Sequence, residues 1–396
     1  MRGRVCRARQ SIGANQPKVS LGASPFVCRA TDGQIRCVAN QTTVPGTSIP
    51  HRLGLHAGDW VVVRSREEIL ATIDRNARLD ALPFQAEMLA FCGQRLRVAK
   101  VAHKTCDNIE KTGGRWMLDA VHLEGARCDG AAHGGCQADC VFFWKEAWLR
   151  RPDDAPSTAT VPTVNACTAE LVAQRSRAPG EEAATDPTWV CQTTALYEAT
   201  SLLKWWDIRQ YIRDVTSGNH TVSHLAGVLF AAAYRRFVAL GPGYRVKVAL
   251  YNAFQKWRGG KPFPHVPSRI RPGSPTPTEV LDLKPGEWAE VRSPEEIGAT
   301  ITHDGMNRGM RYDIEMLKYS GERHRVQMRV HRLIHERTGK MLEMKNPCIQ
   351  LEDVYCRAEC TPLRLGCPRA SNTYWREIWL RRVPPPAGGE SGSGPR

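Results

Sequence analysis

The feature that most constrains the fold of this chain is an internal repeat. Residues 53–98 align without gaps on residues 281–326, with 20 identical residues in 46 positions. The match resumes at the end of each copy, where Trp-Lys-Glu-Ala-Trp-Leu-Arg-Arg at 144–151 corresponds to Trp-Arg-Glu-Ile-Trp-Leu-Arg-Arg at 375–382. Each copy has the size of an ordinary domain, about 100 residues. The sequence therefore predicts two domains of the same fold, over residues 51–152 and 276–383.

The pattern inside each copy predicts several short strands and one short helix. Gly-acidic-Trp at 58–60 and 286–288 precedes an alternating apolar run, which is typical of a turn that enters a strand. Ser65 and Ser293 each stand before Glu-Glu-Ile or Pro-Glu-Glu-Ile, so each is expected to cap a short helix. The closing Trp-x-Glu-x-Trp segments are expected to bury their tryptophans in the core. Short strands that close on themselves predict a small barrel in each copy.

The opening pattern of each copy resembles SH3-like barrels of translation and transcription factors over about 20 residues. The whole chain is also similar to a family of uncharacterised bacterial proteins that carry the same two signature ends. The resemblance implies an α+β fold in which two homologous SH3-like barrel domains are joined by a helical connector. Since SH3-like barrels are usually binding modules, it also implies a binding function rather than a catalytic one.

The segment between the copies, residues 153–275, has helical periodicity and a strong positive charge. Residues 204–271 contain twelve Lys or Arg and two acidic residues, within a chain whose net charge is +15. Such a segment has two interpretations. It presents a solvated face, or it binds an anionic partner: a polyanion such as nucleic acid or anionic polysaccharide, or an acidic protein surface. Contact with an anionic membrane also stays open. The candidate polyanion-binding residues are Lys204, Arg209, Arg213, Arg235, Arg236, Lys256, Arg258 and Lys261.

Cysteine usage points to metal chemistry in a reducing compartment. The chain has 14 cysteines and no apolar segment of a secretory signal, so we expect a cytoplasmic protein with free or metal-bound thiols. It also lacks a stretch of 18 apolar residues, so no transmembrane helix is expected.

The sharpest cluster of cysteines is Cys128, Cys136 and Cys140, where Gly134-Gly135 lets the backbone turn tightly. Candidate further ligands are Cys106 and His133, with Cys167 and Cys191 as alternatives.

A second and weaker candidate set consists of Cys348, Cys356, Cys360 and Cys367. Thiolates select zinc or an iron–sulfur cluster, with zinc the first expectation here. Three interpretations remain open: a structural zinc site, unmetallated reduced thiols, and a reactive thiol or redox cluster.

No complete catalytic motif is present in the sequence. We therefore expect a non-enzymatic, zinc-stabilised scaffold that binds a polyanion or a protein partner. The alternative is a metalloenzyme or redox protein that uses a cysteine-bound metal in the first repeat. Residues 1–50 are expected to be poorly ordered, and residues 384–396, rich in Pro, Gly and Ser, are expected to be disordered.

Overall fold

The computed structural model describes the backbone of residues 26–31 and 34–39, and residues 52–107, 113–154, 167–240, 242–257, 263, 266, 268–360 and 364–386. The chain divides into two compact units, residues 1–48 and 49–396. In the first unit, β1 (Phe26–Thr31) and β2 (Gln34–Ala39) pair as an antiparallel hairpin. The rest of the segment 1–50 and residues 387–396 lie outside the described residues, so disorder there stays a prediction.

The first repeat is built on one antiparallel sheet with the strand order β10-β9-β6-β3-β11. Its elements are β3 (Trp60–Val63), α1 (Arg66–Leu70), β4 (Arg78–Leu79), β5 (Leu82–Pro83), β6 (Arg95–Val101), β7 (Lys104–Cys106), β8 (Gly114–Trp116), β9 (Ala120–Leu123), β10 (Trp144–Lys145) and β11 (Leu149–Arg150), with 3₁₀ helices at Ala86–Phe91 and Glu146–Trp148. The alternation predicted for β3 is present, since Val61 and Val63 are fully buried while Trp60 is exposed.

The second repeat has the same order of equivalent strands, β17-β16-β13-β18. Its elements are β13 (Trp288–Val291), α6 (Pro294–Gly298), β14 (Met306–Asn307), β15 (Met310–Arg311), β16 (Arg323–Ile334), β17 (Met341–Leu351) and β18 (Leu380–Val383), with 3₁₀ helices at Ile314–Tyr319 and Glu377–Trp379. Trp375 pairs with Ile349, as Trp144 pairs with Val121 in the first repeat. The two closing Trp-x-Glu-x-Trp segments therefore occupy equivalent positions.

Serine capping boxes start the equivalent helices α1 and α6. Ser65 Oγ accepts from Glu68 N at 3.2 Å, and the Glu68 carboxylate accepts from Ser65 N at 2.9 Å. Ser293 and Glu296 make the same pair of bonds, at 3.3 and 2.9 Å. Each box satisfies two backbone N–H groups of the first turn, so the predicted serine caps are confirmed.

The repeated tryptophans form the centre of each core. Trp148 and Trp379 are fully buried, and each indole N–H donates to a threonine that the repeat conserves, Thr72 at 3.2 Å and Thr300 at 3.0 Å. A buried aromatic ring gains from apolar burial, and its polar N–H needs a partner to avoid a desolvation penalty. The identities between the copies thus reflect one packing arrangement made twice.

The fold class α+β is confirmed, because antiparallel sheets and α-helices occur together. Over the described residues the five-stranded sheet is a half-barrel whose end strands β10 and β11 do not pair with each other. The SH3-like assignment of each repeat stays a prediction, and so does a separate connector domain.

The segment between the repeats contains helices, as its periodicity predicts. They are α2 (Ala169–Gln174), α3 (Arg209–Thr216), α4 (Val222–Ala239) and α5 (Tyr244–Trp257). The same segment also supplies β12 (Ser201–Leu203), which pairs with β8 in a small sheet of order β12-β8-β7. No helix in the described part of the chain combines the length and the apolar character needed to cross a membrane.

A buried junction joins the first repeat, α3 and the second repeat. Lys104 Nζ contacts the Asp214 carboxylate at 2.5 Å and donates to the carbonyl of Leu365 at 2.9 Å. His103 Nε2 lies 3.1 Å from the other carboxylate oxygen of Asp214. All three charged or titratable side chains are at most 3 % exposed, so the junction is a desolvated polar cluster.

Candidate metal centre

A cavity of about 610 Å³ lies between the two repeats and is rich in thiols. Its lining comes from the first repeat, from the segment 191–193 and from the second repeat, including the end of β16, Arg369 and residues 371–374. The cysteines that line it are Cys106, Cys128, Cys136, Cys140, Cys191 and Cys356. The three cysteines of the sharpest sequence cluster therefore face one cavity.

Within the described residues, one group of metal-ligating side chains is compact: Glu87, Cys128 and His133 offer ligand atoms that all lie within 4.8 Å of one another. Glu87 Oε1 is 2.6 Å from His133 Nδ1 and 3.8 Å from Cys128 Sγ. The other ring nitrogen of His133, Nε2, lies 3.0 Å from the carbonyl oxygen of Val190.

The loop that carries Cys128 and His133 turns tightly because of its glycines. Gly130 has φ +72°, and a Cβ there would lie 2.0 Å from the carbonyl oxygen of Cys136. Gly134 has φ +63°, and a Cβ there would lie 2.6 Å from the ring of Trp189. Since only glycine tolerates both the conformation and the close approach, these residues allow the loop to fold back on itself and point His133 inward.

Glu87 anchors this loop as well as offering a ligand atom. Its Oε1 accepts from the backbone N–H of Ala132 at 3.0 Å, beside the contact with His133. Burial raises the pKa of Glu87, but the hydrogen bond and charge of His133 outweigh it, so the pKa is lower than its usual value. The carboxylate is thus ionised at neutral pH, as a metal ligand requires.

The remaining thiols of the first set lie around this group. Burial raises the pKa of Cys128 well above its usual value and the pKa of Cys140 to about 12. Cys136 Sγ accepts from the backbone N–H of Ile334, at 3.3 Å, and Cys191 Sγ lies 3.0 Å from Thr193 Oγ1. Without a bound cation, burial therefore keeps Cys128 and Cys140 protonated.

Cys106 faces the second repeat. Its thiol donates a hydrogen bond to Cys367, which raises the pKa of Cys106 and lowers the pKa of Cys367. Cys106 therefore contacts Cys367 of the second candidate set while it also lines the cavity that Cys128 faces.

In the second set, Glu315 is the repeat equivalent of Glu87. Its carboxylate accepts from the backbone N–H groups of Glu359 and Cys360, at 3.1 and 2.6 Å. Burial raises the pKa of Cys356 to about 12 and that of Cys360 to about 11. Cys348 lies apart in β17, where its Sγ is 3.6 Å from Met344 Sδ. The metal sets proposed from the sequence stay proposals. The structure adds Glu87 to the first set and places Cys191, one of the alternative ligands, in the lining of the same cavity.

Glu87 is the site residue that sequence reasoning missed. A signal was present, because Glu-Met-Leu recurs at 87–89 and 315–317. The motif alone does not give the role, because that role depends on a tertiary contact: both glutamates bind the backbone of the loop that follows the first repeated cysteine.

None of the candidate polyanion-binding residues in the described part of the chain lines this cavity. Lys204 Nζ stands 5.4 Å from the ring centre of Trp206, and Arg209 forms an exposed ion pair with Asp207 at 2.6 Å. The others in the described part of the segment are half-buried Arg213 and Arg235 and exposed Arg236 and Lys256. Arg258 and Lys261 lie outside the described residues.

Comparison with known proteins adds no functional assignment: no protein-family model and no curated protein matches the chain. The internal repeat is then the most informative comparison for the site. In both copies a glutamate of the Glu-Met-Leu motif binds the backbone of a cysteine-containing loop, but His133 has no equivalent histidine there, since residues 357–361 are Arg-Ala-Glu-Cys-Thr. The compact group with a histidine is therefore specific to the first copy.

Proposed function

We propose that this chain is a non-enzymatic, zinc-stabilised scaffold protein of a reducing compartment such as the cytoplasm. Zinc is held in the first repeat by Cys128, His133 and Glu87, with a fourth ligand from Cys140 or Cys191. The single observation that carries the proposal is the close approach of three different ligand atoms inside a thiol-lined cavity.

The chemistry of the donors suits zinc. Thiolate, imidazole and carboxylate are its three usual protein ligands, and four of them complete a structural site. A histidine that binds a metal normally donates its other ring N–H to a carboxylate or a carbonyl, which fixes the ring. His133 can bind through Nδ1 while Nε2–H donates to Val190 O, 3.0 Å away.

A structural role follows from what the same loop contacts. Gln137 Oε1 accepts from the backbone N–H groups of His331 and Arg332 in β16, at 2.7 and 3.1 Å. The Asp139 carboxylate accepts from Gln327 Nε2 at 2.9 Å and from Asn372 Nδ2 at 3.0 Å. Zinc that fixes the cysteine loop therefore also fixes the first repeat against the second.

Metal analysis of the purified full chain tests the proposal. We expect about one zinc per chain, retained in Cys92→Ser, whose cysteine lies outside the cavity lining, and lost in Cys128→Ser. Protein without bound metal in all three preparations, folded by circular dichroism, contradicts the zinc site. A brown protein with sulfur-to-iron absorption contradicts zinc in favour of an iron–sulfur cluster.

The cavity itself favours a second candidate function, metal-assisted catalysis on a small molecule. A volume of about 610 Å³ lies in the usual range for small-molecule sites. A catalytic zinc keeps one position open, whereas a structural zinc has four protein ligands. Cobalt-substituted protein separates the two: an absorption spectrum that cyanide or imidazole leaves unchanged supports the scaffold, and one that they alter supports the enzyme.

The partner of the scaffold is proposed to be anionic and to bind the helical segment. Between Asp214 and Glu279 the chain contains no acidic residue and nine Lys or Arg. Such one-sided charge favours anionic partners and makes binding depend on salt.

A further inference from the structure

Helices α4 and α5 expose an unusual amount of apolar surface. The exposed large side chains include Phe230, Phe237, Val246, Leu250, Phe254 and Trp257. Trp257 is 83 % exposed and Leu250 is 64 % exposed, and no residue of α5 is buried. An apolar patch of this kind marks an interaction surface.

The two helices form a defined hairpin rather than two loose elements. Tyr234 of α4 donates through its hydroxyl to the carbonyl of Lys247 in α5, at 3.0 Å, and its ring packs against Tyr251 with centres 5.0 Å apart. Lys247 Nζ donates to the carbonyl oxygen of Leu240 at 2.7 Å and so caps the end of α4. We call residues 222–257 the apolar hairpin.

Four exposed apolar residues of α5 share one face. Val246, Leu250, Phe254 and Trp257 are spaced by four, four and three residues, which places them in one stripe along a helix. Basic residues accompany the stripe, since Arg245 and Lys256 of α5 and Arg236 of α4 are exposed. The hairpin thus combines an apolar face with positive charge and no negative charge.

We propose that the apolar hairpin docks on an anionic phospholipid membrane. Its apolar side chains enter the boundary between headgroups and acyl chains, and its bases contact the lipid phosphates. The inference deepens the proposed anionic partner and is independent of the zinc site.

The chemistry of the patch favours lipid over the other anionic partners. Valine and leucine side chains cannot stack on nucleic-acid bases as aromatic rings do, so Val246 and Leu250 would gain little from nucleic acid. A second copy of the chain would bring two hairpins of equal positive charge together, without an acidic side chain on either to offset the repulsion. Acyl chains accept aliphatic and aromatic side chains alike, and tryptophan and tyrosine are enriched at membrane interfaces.

Co-sedimentation of the full-length protein with vesicles tests the proposal. We expect binding to phosphatidylcholine vesicles with about 30 mol% phosphatidylserine, together with a blue shift of tryptophan fluorescence, and much weaker binding to pure phosphatidylcholine. The double variant Val246→Ser/Leu250→Ser should weaken binding at least about tenfold, because two apolar groups no longer leave water. Val280→Ser is the matched control, since Val280 is 72 % exposed outside the hairpin, and it should bind as the unaltered protein does.

Three outcomes would overturn the proposal. They are no binding to either vesicle at low salt, equal loss of binding in the control variant, and binding to a nucleic-acid duplex without binding to vesicles. Self-association that the double variant abolishes, in the absence of vesicle binding, would assign the patch to a second copy. Zinc content measured on the same samples is expected to be unchanged in both variants, so failure of the membrane proposal is distinguishable from failure of the metal proposal.

Discussion

Replacing His122 by asparagine should remove an acid-sensitive part of the stability of this protein. His122 lies in β9, is 2 % exposed, and its Nδ1 donates to the carbonyl of Phe142 at 2.8 Å. Burial lowers the pKa of His122 from 6.5 to about 4, since the charged ring would lose its hydration. An asparagine amide can keep the hydrogen bond to Phe142 and does not titrate.

The expected magnitude follows from that shift. Between pH 6.5 and 4 the unfolded chain binds a proton at His122 that the folded protein does not bind. The stability that neutral His122 contributes is therefore fully present above about pH 6.5 and is lost as the pH falls towards 4. At 1.36 kcal/mol per pKa unit, His122 should lower the free energy of unfolding by about 2 kcal/mol between pH 7 and 5.

The assay is urea unfolding followed by tryptophan fluorescence at both pH values. The unaltered protein should lose about 2 kcal/mol more than His122→Asn on going from pH 7 to 5. Packing lost in the variant affects both pH values alike and cancels in this difference. His331→Asn, at an exposed histidine, should behave as the unaltered protein. Equal losses in His122→Asn and the unaltered protein would refute the assignment of a buried, neutral His122.

Two further predictions concern buried charge and the tight loop. Asp214→Asn leaves the ammonium of Lys104 buried without its counter-charge and should cost about 3–5 kcal/mol in urea unfolding, whereas Lys104→Met/Asp214→Leu should cost less than Asp214→Asn alone. Gly130→Ala should destabilise the protein by at least about 2 kcal/mol more than Gly93→Ala. Both variants place alanine at a positive φ, so that strain is shared. A Cβ at residue 130 would in addition clash with the carbonyl oxygen of Cys136, whereas a Cβ at residue 93 meets nothing within 4 Å. Equal thermal shifts for the two glycine variants would contradict the close approach.

The sequence predicted what depends on local pattern. The capping serines and the buried tryptophans follow from short-range spacing, and each of these features is found in both copies of the repeat. The grouping of Cys106 with Cys128 relied on nearness along the chain. The β7–β8 hairpin instead places Cys106 in a separate sheet with β12, from which it reaches Cys367. Spacing along the sequence does not predict the contact between Cys106 and Cys367, because that contact depends on how distant strands and loops pack together.

The helical segment shows a related limit. The helical periodicity of residues 153–275 correctly predicted helices such as α5, in which Val246, Leu250, Phe254 and Trp257 form an apolar face. A face of this kind normally packs against a core, but here it remains exposed. Periodicity predicts that a helix has an apolar side, but it does not predict whether protein, lipid or water contacts that side.

The buried junction has a consequence for synthesis on the ribosome. Lys104 contacts Asp214, 110 residues later, and Leu365, 261 residues later. At a synthesis rate of about 5–20 residues per second, Leu365 follows Lys104 by roughly 13–50 seconds. Until then the first repeat presents an incomplete polar surface and the thiol of Cys106 lacks its partner Cys367. The first repeat therefore completes these buried contacts only after Leu365 and Cys367, near the end of the chain, have been synthesised.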